Sequence, residues 1–124
     1  MLVEFIQEND HLLISIMDDI MMDNSREFYI EFERIFVDER VSVKTLSLNF
    51  GEVRFMDSSG IGAIIKCTNK VKEEGINIIV FNLNKTLYSV FRLSGLQNIL
   101  ETLELDTFRE RFPEFKPYLS KYND

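Results

Sequence analysis

The sequence is poor in the residues that build disulfides, metal centres and histidine-based active sites. Its lone cysteine, Cys67, excludes an internal disulfide and leaves no cysteine cluster for zinc. Its lone histidine, His11, excludes a two-histidine metal site and would have to serve alone as the base of any Ser-His-Asp arrangement. Neither a metal nor another cofactor is expected. Positive charge is also scarce. Lys and Arg number 14 against 21 Asp and Glu, giving a net charge of −7 and a pI near 4.7. No basic stripe of the kind used on nucleic acid is visible, and an anionic membrane surface is disfavoured for the same reason. No apolar run approaches the ~18 residues of a membrane helix, so membrane insertion is not expected. The start, Met1-Leu2-Val3-Glu4-Phe5, carries neither the basic patch nor the apolar core of an export signal. The expected location is cytoplasmic.

What is there is ordinary for one globular domain: 124 residues, 45% hydrophobic and 28% charged. Residues 3–7 and 12–17 read as strands around a polar turn, an opening hairpin. A helix is expected over about 25–37. Asn24 is a good N-cap with Glu27 placed to reach back, and Phe28, Phe32, Ile35 and Phe36 form one apolar stripe. Residues 43–50 read as a strand with Leu46, Leu48 and Phe50 on one face and Thr45, Ser47 and Asn49 on the other. A second helix runs to about Glu74, with Ile61, Ile64, Ile65, Thr68 and Val71 inward and Gly75 closing it. Residues 76–81 are almost wholly apolar, as in a strand covered on both faces. Asn82 and Asn84 open a third helix with Leu87, Val90 and Phe91 inward, and residues 99–103 form a short last strand. Thr107 and Glu110 pair as a capping box for a final helix, which Pro113 bends or restarts. Strands alternating with helices predict an α/β domain. Its central sheet has about five strands, mostly parallel, with an antiparallel edge hairpin and about four helices.

The most informative stretch is Phe55-Met56-Asp57-Ser58-Ser59-Gly60-Ile61-Gly62, which follows the strand ending in Leu48-Asn49-Phe50. A strand runs into a loop, and a helix starts at Asp-Ser-Ser-Gly. Amide groups at a helix start are unpaired. A hydroxyl there can cap the helix, or it can accept a phosphoryl group that the helix start helps to hold. The residues alone leave both readings open.

This motif resembles the signature of the STAS domain and, more narrowly, that of bacterial anti-sigma factor antagonists. The match extends through Glu74-Gly75, the strand ending at Phe81 and Leu93-Ser94-Gly95-Leu96, covering about residues 3–110. The resemblance implies that the serine directly after the aspartate, Ser58, is a phosphorylation site. It implies a partner that is both an anti-sigma factor and a serine kinase. The unmodified protein would sequester that partner, and phosphorylated Ser58 would release it. A serine phosphatase would restore the active form, and transcription would be controlled with no direct contact to nucleic acid. The partner surface implied comprises Asp23, Asp57, Ser58, Ser59 and Gly60. Where the family often has Gly-Glu-Leu-Asp, this chain has Ile20-Met21-Met22-Asp23, so only the aspartate is kept.

Each of these residues has a plainer reading. Asp23 would help cap the first helix, and Ser59 would cap the second. Met21 and Met22 read as core, with an adaptable apolar contact as the alternative. Gly60 and Gly62 allow another backbone to approach or pack tightly on the sheet. Asn49 reads as ordering the loop after it, Cys67 as a small core residue, and His11 as a solvent-facing turn residue. Catalysis is not expected, because Ser58 lies in no Gly-x-Ser-x-Gly elbow and no phosphate-cradling Gly-x-x-x-x-Gly-Lys loop is present. Residues 1–110 are expected to form the STAS-like domain. Residues 111–124 form a helical extension packed on or next to it. The alternative to an anti-sigma factor antagonist is a stand-alone STAS subunit of a non-sigma assembly, for example a lipid-transport complex.

Overall fold

A computed structural model describes residues 1–122. Two strands open the chain, β1 (Val3–Glu8) and β2 (His11–Ile16), followed by α1 (Ser25–Glu39) and β3 (Thr45–Asn49). Then come α2 (Ser58–Glu73), β4 (Asn77–Phe81), α3 (Lys85–Ser94) and β5 (Glu101–Leu103). After β5 come α4 (Leu105–Arg111), a single turn, α5 (Lys116–Leu119), and a 3-10 turn over Ser120–Tyr122. Among the described residues there are five α-helices where about four helices were expected, because the chain breaks at Phe112-Pro113 and restarts. Proline supplies no amide to continue the α4 ladder.

The sheet has the strand order β1-β2-β3-β4-β5. Only the opening hairpin is antiparallel, with Phe5 opposite Ile14; β2 to β5 all run parallel. All four parallel strands therefore end on the same edge, where loops of such sheets commonly carry binding groups.

One face of the sheet is covered by α1, α2 and α3. Phe28, Phe32 and Phe36 of α1 are buried there, with Phe32 and Phe36 stacked at 5.9 Å. The buried stripe of α2 is Ala63, Ile64, Cys67, Thr68 and Val71; Ile61 and Ile65 lie at its half-buried margin. Cys67 is a core residue, and burial pushes its thiol pKa well up. Leu87 and Phe91 anchor α3, whose end passes into Gly95 at φ 83°, a left-handed position that favours glycine.

The opposite face is covered by the C-terminal segment. Phe108, Phe115 and Leu119 are buried against Leu13, Ile79 and Phe81, and the rings of Phe81 and Phe108 stack at 3.7 Å. Beneath them lies the polar face of β3, with Ser47 and Asn49 both buried. His11 is buried with them at 3% exposure, which corrects the expectation of a solvent-facing turn residue. Its Nε2 lies 2.6 Å from Ser47 Oγ, and the edges of Phe108, Phe112 and Phe115 surround the ring. Burial lowers the His11 pKa to about 4, with Asp10 opposing and Arg111 reinforcing that shift. The expected 111–124 extension includes Asn123 and Asp124, which lie outside the described residues.

Two expected caps do not form. Thr107 and Glu110 lie inside α4, which starts two residues earlier behind Glu104. Asn24 precedes α1 but makes no side-chain cap bond, and neither does Asp23. The Asn24 side chain is instead spent on the preceding loop.

Candidate functional site

Two loops meet at the carboxyl edge of the sheet. One follows β2, over residues 17–24; the other follows β3, over residues 50–57. They are joined by a single parallel bridge between Ile20 and Met56. Asp19 of the first loop accepts the Arg54 amide at 2.7 Å and the Phe55 amide at 3.2 Å. In the other direction, Asp57 accepts the Met22 amide at 2.9 Å. Asn24 closes the first loop on itself, accepting the Met21 amide at 2.8 Å and donating to the Asp19 carbonyl at 2.8 Å. Asn84 caps α3 through the Leu87 amide at 2.8 Å and donates to the Arg54 carbonyl at 3.2 Å. Asn49 accepts the Gly51 amide at 2.9 Å, the loop-ordering role its position suggested.

Asp57 also caps α2, accepting the Gly60 amide at 3.0 Å. The Gly60 bond, seconded by that from Met22 against partial desolvation, holds the Asp57 carboxyl below its ordinary pKa. The cap is therefore the aspartate and neither serine, contrary to the plain reading of Ser59. Ser58 is exposed in the first turn of α2, Ser59 is half-buried, and neither hydroxyl has a hydrogen-bond partner among the described residues. Gly60 is buried, and a Cβ there would collide with the Ile20 carbonyl oxygen. The glycine is thus required by the close approach of the two loops.

The two loops that meet at this helix start carry exposed apolar side chains. Met22 is 78% exposed and Phe55 is 43% exposed. Met22 is therefore no core residue, whereas Met21 is half-buried. Asp23 is exposed and its side chain makes no hydrogen bond among the described residues. The structure thus brings Asp57, Ser58, Ser59 and Gly60 to one helix start. Through the Asp57–Met22 bond, the Asp23 loop is fixed against that start. His11 pairs in register with Thr45 at the opposite end of the sheet. Sequence reasoning missed Asp19 and the second bond of Asn84, whose partners lie 35 and 30 residues away. A polar loop residue carries no local sign of so distant a partner.

These features define a small α/β domain with an exposed serine at a helix start on the carboxyl edge of a parallel sheet. The STAS domain model matches residues 3–110, and the chain belongs to that family. The anti-sigma-B factor antagonist of Listeria monocytogenes is 29% identical over 56 residues, 45% of this chain and 49% of that protein. The chain thus spans about half the length of the curated relatives it matches. A putative anti-sigma factor antagonist from Thermotoga maritima superposes with a TM-score of 0.68 at 17% identity, over 81% of this chain and 84% of that one. The Bacillus cell fate determinant SpoIIAA in its phosphorylated form gives 0.62 at 19% identity, over 88% and 97%. At these identities the two solved structures establish a shared fold. No helix among the described residues is long and apolar enough to cross a membrane.

Proposed function

We propose that this chain is a cytoplasmic anti-sigma factor antagonist, a binding protein rather than an enzyme, switched by phosphorylation of Ser58. The observation that carries the reading is the division of labour at the start of α2. Asp57 takes the capping role, which leaves the Ser58 hydroxyl exposed and unengaged among the described residues. The curated Listeria relative named above is an anti-sigma-B factor antagonist, which supports the same reading. Its partner is an anti-sigma factor that is also a serine kinase, and a serine phosphatase reverses the modification. Met22 and Phe55 supply apolar contact area at the rim, while Asp23, Asp57, Ser58, Ser59 and Gly60 form the polar centre.

A phosphoryl group on Ser58 adds about −1.5 to −2 charges. It would sit beside Asp57 on a protein of net charge −7. Inside a packed interface, desolvation and like-charge repulsion of about 3 kcal/mol weaken binding more than 100-fold. No change of fold is required.

The test is binding of a purified kinase-type anti-sigma factor from the same source to wild type, Ser58→Ala and Ser58→Asp. Wild type and Ser58→Ala should bind, and only wild type should be released on adding ATP. Ser58→Asp should bind much more weakly. Equal affinity for the Ala and Asp variants removes Ser58 from the interface. Phosphate mapped to Ser59 would place the switch one residue further on. Failure of wild type to bind while it co-purifies with transporter subunits would favour the non-sigma assembly.

A further inference from the structure

Beside Ser59 the surface opens into a groove of about 690 Å³ between α1 and α2. Its α1 wall presents Arg26, Tyr29 and Ile30; its α2 wall presents Ser59, Gly62 and Lys66. These fall at helical spacing on facing stripes, so the groove follows directly from the packing of the two helices.

The charge of this groove runs against that of the molecule. The protein carries −7 overall, yet the groove lining holds two cations and no carboxylate. Neither Arg26 nor Lys66 has an ion-pair partner among the described residues, whereas Lys70, one turn further along α2, is paired with Glu33 at 3.2 Å. The Lys66 ammonium stands 4.5 Å from the centre of the Tyr29 ring, which holds it over the groove.

Gly62 is the second anomaly. A Cβ at Gly60 would collide with Ile20, but a Cβ at Gly62 would meet nothing within 4 Å. Glycine inside a helix costs stability relative to alanine, and no contact among the described residues explains it at this position. Ile30, on the opposite wall, is 47% exposed. The groove therefore combines open space over Gly62, an exposed Ile30 and two cations without an ion-pair partner among the described residues, next to the proposed switch.

We propose that this groove extends the partner surface and receives an acidic segment of the anti-sigma factor. A carboxylate lies between Arg26 and Lys66, and the backbone of the segment passes over Gly62. Exposed Asp23 lies three residues before Arg26, so the surface is bipolar and fixes the direction in which the partner docks. This inference rests on the anti-sigma factor reading given above.

The probe is the same purified anti-sigma factor, offered to wild type, to the double variant Arg26→Glu/Lys66→Glu and to Gly62→Leu. The double variant is expected to bind about thirtyfold more weakly, and wild-type affinity should fall more steeply with salt than that of the variant. Gly62→Leu should also bind more weakly without losing thermal stability, which separates blocking from misfolding. Carbodiimide treatment of the wild-type complex should condense the Lys66 amine with a partner Asp or Glu, forming an amide located by mass spectrometry. Wild-type affinity in both variants, or no cross-link through Lys66, overturns the groove while leaving the antagonist reading intact. No binding by wild type overturns both.

Discussion

Asp19 and Asp57 exchange carboxylates across one junction. Each reaches 35 residues along the chain to a backbone amide of the other's loop, Asp19 to Arg54 and Asp57 to Met22. The loop that presents Met22 and Asp23 is thereby fixed against the helix start that presents Ser58. Removing either carboxylate should loosen both loops at once. Asp19→Ala is expected to cost about 1 kcal/mol for its partly exposed bonds. It should also speed hydrogen exchange at the amides of Arg54 and Phe55 without disturbing β3. Asp57→Ala should do the same at Met22 and Gly60. Since the folded-state pKa of Asp57 is depressed, its contribution is present above the ordinary carboxylate range and is lost in acid. Unchanged exchange at these four amides would show that the loops are held by other contacts.

The two glycines of the motif should respond in opposite directions. Gly60→Ala drives a methyl group into the Ile20 carbonyl and must push the loops apart, which should cost about 2–3 kcal/mol. Gly62→Ala meets open space inside a helix and should raise stability by about 0.5–1 kcal/mol. Paired denaturant titrations decide this. Equal destabilisation by both would mean that Gly62 has a packing partner.

Much of the fold follows from local chemistry. The hairpin and the Phe28/Phe32/Phe36 stripe show their burial through patterning, and β4 shows it through its run of apolar residues from Ile78 to Phe81. The Asp-Ser-Ser-Gly helix start was equally legible, because strand, loop and helix follow within a few residues. The far face of the sheet was not. Thr45, Ser47 and Asn49 alternate with leucines, a pattern that distinguishes two faces without saying what covers them. Here the polar face is buried because His11 satisfies Ser47, and Asn49 bonds Ser15 at 3.0 Å and Tyr122 at 3.3 Å. The partners come from distant segments, so no window of sequence contains them. The capping residues failed for a related reason. Asn24 has the right chemistry for a cap, but its amide is used to close the loop before it.

His11 should make the protein acid-sensitive in a defined window. Its folded-state pKa of about 4 lies below the ordinary imidazole value of 6.5, so folding favours the neutral ring. Stability is fully present above the unfolded pKa and declines as pH falls from 6.5 towards 4, where the folded state also takes up the proton. The loss over that window is about 3 kcal/mol. His11→Gln should be less stable at neutral pH but lose less between those limits. A wild-type unfolding free energy that stays flat across this range would show that the ring is solvated in the folded state.

The C-terminal segment should act on the loop that leads to Ser58 as well as on the core. Tyr122 donates to Glu52 at 2.9 Å and accepts from Asn49, and Lys121 approaches Glu52 at 3.4 Å. A Cβ on Gly51 would collide with the Tyr122 ring, so the tail lies directly on the loop that leads to Ser58. Phe115→Ala removes a fully buried ring from the far face and should cost about 3–5 kcal/mol. Tyr122→Phe keeps the ring and loses only the hydroxyl bonds, so it should cost about 1 kcal/mol. The distinguishing measurement is hydrogen exchange at Gly51 and Glu52 in Tyr122→Phe. Faster exchange there, with β4 and β5 unchanged, would show that the tail orders this loop through Tyr122. Exchange raised evenly over the whole sheet would mean that the hydroxyl serves global stability alone.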